Sequence, residues 1–132
     1  MASSITPEQM AKSGTEHGHQ TALFIWAAQN FDKYPQLRYM FAIPNGGQRH
    51  AAVAGKLKAE GVKAGVPDIF LAVPIRKGEY HQCGLFIELK IGRNTATEEQ
   101  KQWLKMLNQS NYTAIVCHGW EQARDIILEY LK

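Results

Sequence analysis

The sequence predicts an α/β domain, a mixed central sheet of about four strands flanked by helices. Three observations carry this. Apolar runs rich in branched residues cover 65–73 and 84–90, the composition of buried strands. Apolar residues recur at helical spacing over 15–32 and 120–131, the signature of helices with one buried stripe. Thr97-Glu98-Glu99-Gln100 is a capping box, which starts a helix between two of the strand-like segments.

In chain order, residues 1–14 are expected to form a flexible lead-in, with Thr6-Pro7-Glu8-Gln9 able to start one short helical turn. A helix over 15–32 follows, capped by Thr15 and carrying Leu23, Trp26, Ala27 and Phe31 on one stripe. Gly18 lies inside it, where glycine costs roughly 1 kcal/mol relative to alanine. Glu16 and Gln20 precede that stripe, so Glu16 is expected to point inward. An inward Glu at a helix start is ordinarily a cap or dipole partner; here it is also a candidate metal-site carboxylate.

A first strand over 38–43 stops at Pro44. Asn45-Gly46-Gly47 then makes a turn in which small residues permit left-handed backbone. A helix over 50–60 follows, with Lys56 and Lys58. Exposed amides beside Arg49 and a helix N-terminus suit a phosphate cradle. The same residues equally suit a plain loop before a solvated basic face. Gly61 ends the helix, and Lys63-Ala64-Gly65 leads into the second strand. A hairpin-like connection over 74–83 returns the chain to the third. Beyond it come the loop Gly92-Arg93-Asn94, the helix with Trp103, Leu104 and Leu107, a strand over 112–117 and a closing helix over 120–131 with Ile127, Leu128 and Leu131. The expected order is helix, strand, helix, strand, strand, helix, strand, helix, with no repeat. Residues 15–132 are read as a single domain.

At 132 residues the chain is long enough for one core and not two. It is 45% hydrophobic and 20% charged, as an ordinary globular protein is. There is no membrane-length apolar run and no basic-then-apolar signal sequence. The expected location is therefore the cytoplasm, bacterial or that of a host if the protein is phage-encoded. Cys83 and Cys117 make neither a disulfide framework nor a zinc pattern, and none of the histidines has a partner at zinc-ligand spacing. Trp26, Trp103 and Trp120 fall on apolar helical stripes or at a helix start, where packing is the expected role. The net charge of +3 favours an anionic partner only weakly.

The chemistry sits where the strands break their own rule. Side chains alternate along a strand, so Glu88 and Lys90 project together while Ile87 and Leu89 point the other way. Asp68 follows Pro67 and opens the neighbouring apolar run, which the connection over 74–83 brings alongside. Two carboxylates and an ammonium at the mouth of a sheet suit a hard divalent cation and the activation of water. Glu-x-Lys alone is common on solvated strand edges; Pro-Asp upstream is what lifts it above that reading.

Pro67-Asp68 followed by Glu88-Leu89-Lys90 resembles the PD-(D/E)xK nuclease superfamily and its restriction-endonuclease-like core. With Glu16 on the first helix, Pro44-Asn45-Gly46-Gly47, Gly65-Val66-Pro67-Asp68 and Gln100, the chain more specifically resembles the VRR-NUC family of virus-type replication and repair nucleases, over roughly 16–116. The resemblance implies Mg²⁺- or Mn²⁺-dependent hydrolysis of DNA phosphodiesters in replication, repair or recombination. It also implies similarity to small junction resolvases that act on four-way (Holliday) junctions as homodimers, with no membrane association. By position, Asp68, Glu88 and Glu16 would hold metal together with the backbone carbonyl of Leu89. Lys90 would orient or deprotonate water, and Gln100 would support the site. Asn45, Gly46, Gly47, Arg49, Lys56, Lys63 and Arg93 are the expected DNA contacts. The alternatives are a non-catalytic DNA-binding module of the same fold and a flap- or nick-directed nuclease.

Overall fold

In a computed structural model the described residues are 5–44 and 51–132. The expected contacts Asn45, Gly46, Gly47 and Arg49 lie outside them. Helix α1 (Pro7–Ala11) occupies the segment expected as a lead-in, held by a capping box between Thr6 and Gln9. Helix α2 (Glu16–Gln29) starts at Thr15, whose hydroxyl accepts from the Gly18 amide at 2.9 Å. Gly18 is explained by packing: a Cβ there would come within 2.8 Å of the Met10 carbonyl at the end of α1. The glycine that weakens α2 as a helix is what lets α1 lie against it.

The first strand is shorter than the expected 38–43. Pro35 starts a 3₁₀ turn, Pro35–Tyr39, and only Met40–Ala42 forms strand β1. Helix α3 (Ala51–Ala59) and strand β2 (Ile69–Leu71) follow. The connection over 74–83 is more than a link. Strands β3 (Ile75–Lys77) and β4 (Tyr80–Gln82) pair antiparallel as a separate two-stranded sheet, with Gly78 at φ 60° in their turn. Strand β5 (Leu85–Lys90), helix α4 (Glu98–Gln109), strand β6 (Thr113–His118) and helix α5 (Trp120–Leu131) complete the chain.

The main sheet has the order β1-β2-β5-β6. The β1–β2 and β2–β5 pairs are antiparallel, and β5–β6 is parallel, with α4 in the crossover. One face carries Met40, Ile69, Leu71, Leu85, Ile87, Leu89 and Cys117 into a core with Ala22 and Leu23 of α2 and Ala123 and Ile127 of α5. The other face meets α4 along β6. There Asn108 extends its side chain to Ala114, donating to the carbonyl at 2.9 Å and accepting from the amide at 3.0 Å. A side-chain amide thus satisfies backbone groups that an edge strand would leave open.

Candidate active site: two carboxylates and a lysine on a buried sheet face

Register decides which side chains meet. Ile69 pairs with Ile87, Phe70 with Phe86 and Leu71 with Leu85, so Asp68, one residue ahead of β2, comes opposite Glu88. The two carboxylates share the sheet face of Phe70 and Phe86, whose rings stack with centroids 4.1 Å apart. The backbone fixes Asp68 from two sides: the Leu89 amide donates to its Oδ2 at 2.9 Å, and its own carbonyl accepts from the Ile43 amide at 2.7 Å. The preceding Gly65 has φ 90°, and a Cβ there would stand 3.0 Å from the Glu99 backbone. Gly65 therefore does two things no other residue can do at once: it adopts left-handed backbone and lets the loop before Asp68 touch the first turn of α4.

All three charged groups are withdrawn from water. Asp68 is 8% exposed, Glu88 1% and Lys90 7%. Lys90 Nζ lies 3.5 Å from Glu88 Oε2, while Glu88 Oε1 is buried with no hydrogen-bond partner among the described residues. Burial, the adjacent Asp68 carboxylate and a hydrogen bond between the two carboxyls push Glu88 from 4.5 up to about 8, against the opposing pull of Lys90. Two like charges brought together in a dry site cannot both ionise easily. Near neutral pH the pair holds a proton that a cation would displace.

The donor chemistry fits a divalent metal. A buried carboxylate oxygen without a donor is unfavourable, and an oxygen-seeking cation between Asp68 and Glu88 would satisfy it. Mg²⁺ needs only one or two carboxylates and keeps its remaining ligands as water. The expected third carboxylate is not gathered in. Glu16 is exposed at the first turn of α2 rather than inward, and among the described residues no three His, Cys, Asp or Glu side chains cluster as a metal site. Leu89 is tied to the site through its amide. Gln100 sits in the first turn of α4, its side-chain oxygen accepting from the Thr97 amide at 2.8 Å, so the cap uses its oxygen and support of the site would fall to its NH₂. Lys56, Lys63 and Arg93 are all exposed.

The histidines are scattered along the chain, but topology sorts them. His118 is the register partner of Lys90 on β6 and shares its face, and its Nε2 lies 2.9 Å from the Asn94 carbonyl. Only the parallel pairing of β5 and β6 creates that proximity. His19 on α2 accepts the Trp120 amide through Nδ1 at 3.0 Å and so caps α5. Cys117 is fully buried, with its thiol pushed up to about 12, which makes it a packing residue.

A family model described as VRR-NUC domain matches residues 15–121. A solved structure described as a VRR_NUC domain protein is similar in sequence and shape, at 34% identity and a TM-score of 0.69, over 89% of this chain and 88% of that one. No curated protein matches the sequence.

Proposed function

The chain belongs to the VRR-NUC family of nuclease-type domains, and from that premise we propose that it is a divalent-metal-dependent DNA endonuclease that hydrolyses phosphodiester bonds at Asp68, Glu88 and Lys90. The observation that carries this reading is the burial of those three side chains on one sheet face, with Glu88 Oε1 left unpaired among the described residues. Mg²⁺ or Mn²⁺ held by Asp68 and Glu88 would supply Lewis acidity and lower the pKa of water at the scissile phosphate. The Leu89 amide keeps Asp68 Oδ2 in place, so this carboxylate is pre-oriented before any substrate arrives. Lys90, 3.5 Å from Glu88 Oε2, stabilises negative charge developing on the phosphate and orients the attacking water. The orientation by Lys90 is the step that distinguishes a catalytic site from a merely acidic one.

For the substrate, the reading is branched DNA, with four-way junctions cut by a homodimer. Both strands of a symmetric junction are cut together only by two sites related by a two-fold axis, which a second copy of a one-site domain supplies. Among the described residues no helix is long and apolar enough to cross a membrane. The test is a panel of labelled four-way junction, flap, splayed-arm, nicked-duplex and single-stranded DNA with Mg²⁺ or Mn²⁺, run beside sedimentation of the protein with and without junction DNA. Metal-dependent nicking at symmetric junction positions by a dimer supports the proposal. Cleavage of flaps or nicks alone by a monomer moves the substrate assignment, and binding without cleavage of any DNA overturns the catalytic one.

A further inference from the structure

The three tryptophans do not share one role. Trp120 is 2% exposed in the core, and Trp26 packs against that core. Trp103, on α4, is half-buried and stands outside the core cluster. It lines two adjoining cavities of about 440 and 550 Å³. The first has Ile43, Pro44, Val62 and Val66 as its apolar floor. The second lies between α3 and α4, with Lys58 and Lys63 on its rim. Two residues of the groove adjoin Asp68 along the backbone: Ile43 donates its amide to the Asp68 carbonyl, and Val66 stands two residues ahead of Asp68, in the loop that Gly65 presses onto Glu99.

Resting on the nuclease reading above, we infer that the groove receives one nucleobase of an unpaired DNA strand, stacked on Trp103, with Lys58 and Lys63 meeting the flanking phosphates. A base inside a duplex already has both faces covered, so only an unpaired base offers a face to a protein ring. The wall charges select a base over a run of phosphates. Glu60 and Glu99 stand beside the two lysines, so the groove is no uniformly basic channel, and its floor is apolar. The consequence is selectivity: the groove favours DNA with a single-stranded nucleotide close to the branch point, as at a flap, a gap or an opened four-way junction.

The test uses the full chain with Ca²⁺ in place of Mg²⁺, and a duplex bearing a short single-stranded arm with 2-aminopurine as its first unpaired base. Wild-type protein should quench the 2-aminopurine fluorescence on binding. Trp103→Leu should lose the quenching and bind the arm substrate about tenfold more weakly, a loss of the size expected for one stacked base, while binding nicked duplex unchanged. Trp103→Phe should keep most of the affinity. Replacing the unpaired base by an abasic site should weaken the wild type and leave Trp103→Leu unaffected. Unquenched 2-aminopurine with the wild type overturns the inference without needing any variant. So does an equal loss on both DNAs, which marks Trp103 as packing, or a shift of Trp103→Leu toward monomer with no dependence on the base, which marks the groove as an interface between copies. If the wild type cuts DNA but shows no dependence on the unpaired base, this inference alone fails. If it neither binds nor cuts any DNA, the nuclease reading falls with it.

Discussion

Both faces of β5 bury side chains, and they do so for opposite reasons. On one, Leu85, Ile87 and Leu89 are at most 1% exposed, and their burial against α2 and α5 stabilises the fold. On the other, Glu88 and Lys90 are 1% and 7% exposed, and their burial costs free energy that a 3.5 Å ion pair offsets only in part. Burial by itself therefore does not separate structure from function. The sign of its energetic consequence does, and a face that withdraws charge from water, with a carboxylate oxygen unpaired among the described residues, is arranged for something other than stability.

The largest expected effect breaks the charged face alone. Asp68→Asn, Glu88→Gln and Lys90→Ala should each lower cleavage by at least roughly a hundredfold while circular dichroism and melting show a folded protein. Wild-type rates in any of the three would remove that residue from the chemistry. The matching change on the apolar face, Ile87→Ala, should do the reverse. It should lower stability by about 2–5 kcal/mol through reduced burial and a cavity, with cleavage per folded molecule retained, as read by denaturant unfolding alongside single-turnover kinetics.

The next effect is titratable. Because the folded protein holds Glu88 at about 8 against 4.5 for the free side chain, the folded state binds more protons than the unfolded state between those values. The contribution of Glu88 to stability without metal therefore falls as pH rises from about 4.5 to about 8. Urea unfolding at several pH values should show that fall, Glu88→Gln should flatten it, and Mg²⁺ should reduce it, because cation binding releases the proton. A metal-free pH dependence that Glu88→Gln leaves unchanged would show that Glu88 titrates in the fold as it does in the free side chain.

The smallest effects lie away from β5. Glu16→Ala should lower stability by roughly 0.5 kcal/mol, the worth of a charge at a helix N-terminus, with cleavage little changed. A large cleavage defect partly restored by Mn²⁺ would instead bring Glu16 into the metal site. Removing Lys56, Lys63 and Arg93 one at a time should flatten the dependence of log affinity on log salt by about 0.9 for each phosphate no longer neutralised, on every DNA sequence alike.

Much of this was legible in the chain. Alternation along β5 separated Ile87 and Leu89 from Glu88 and Lys90, and local rules placed Thr97 with Gln100 and the span of α5, because capping and periodicity act over neighbouring residues. What stayed hidden depends on the meeting of distant segments. Gly18 reads as a weak point until α1 is seen against it. Glu16 shares a helical stripe with Leu23 yet lies at the exposed end, where the stripe has run past the core. His118 becomes Lys90's neighbour only through parallel pairing across a crossover. Trp103 sits on an amphipathic helix like any packing residue, and the cavities beside it arise only where α4 meets α3 and the loop before β2. The strand expected over 38–43 begins late because Pro35 starts a 3₁₀ turn that runs through Tyr39.

The β3–β4 hairpin has a consequence for how this domain can be altered. It lies between β2 and β5 in sequence but forms its own two-stranded sheet, while the placement of Asp68 opposite Glu88 is set by the β2–β5 register. Its exposed turn at Gly78 and Glu79 is therefore a natural point for inserted sequence. A loop, a tag or a small folded module grafted there would lengthen the path between the strands that carry Asp68 and Glu88 without moving one against the other, whereas a single residue added inside β5 ahead of Glu88 would turn Glu88 and Lys90 into the apolar core. The domain thus offers an engineering handle only a few residues in sequence from its least tolerant strand.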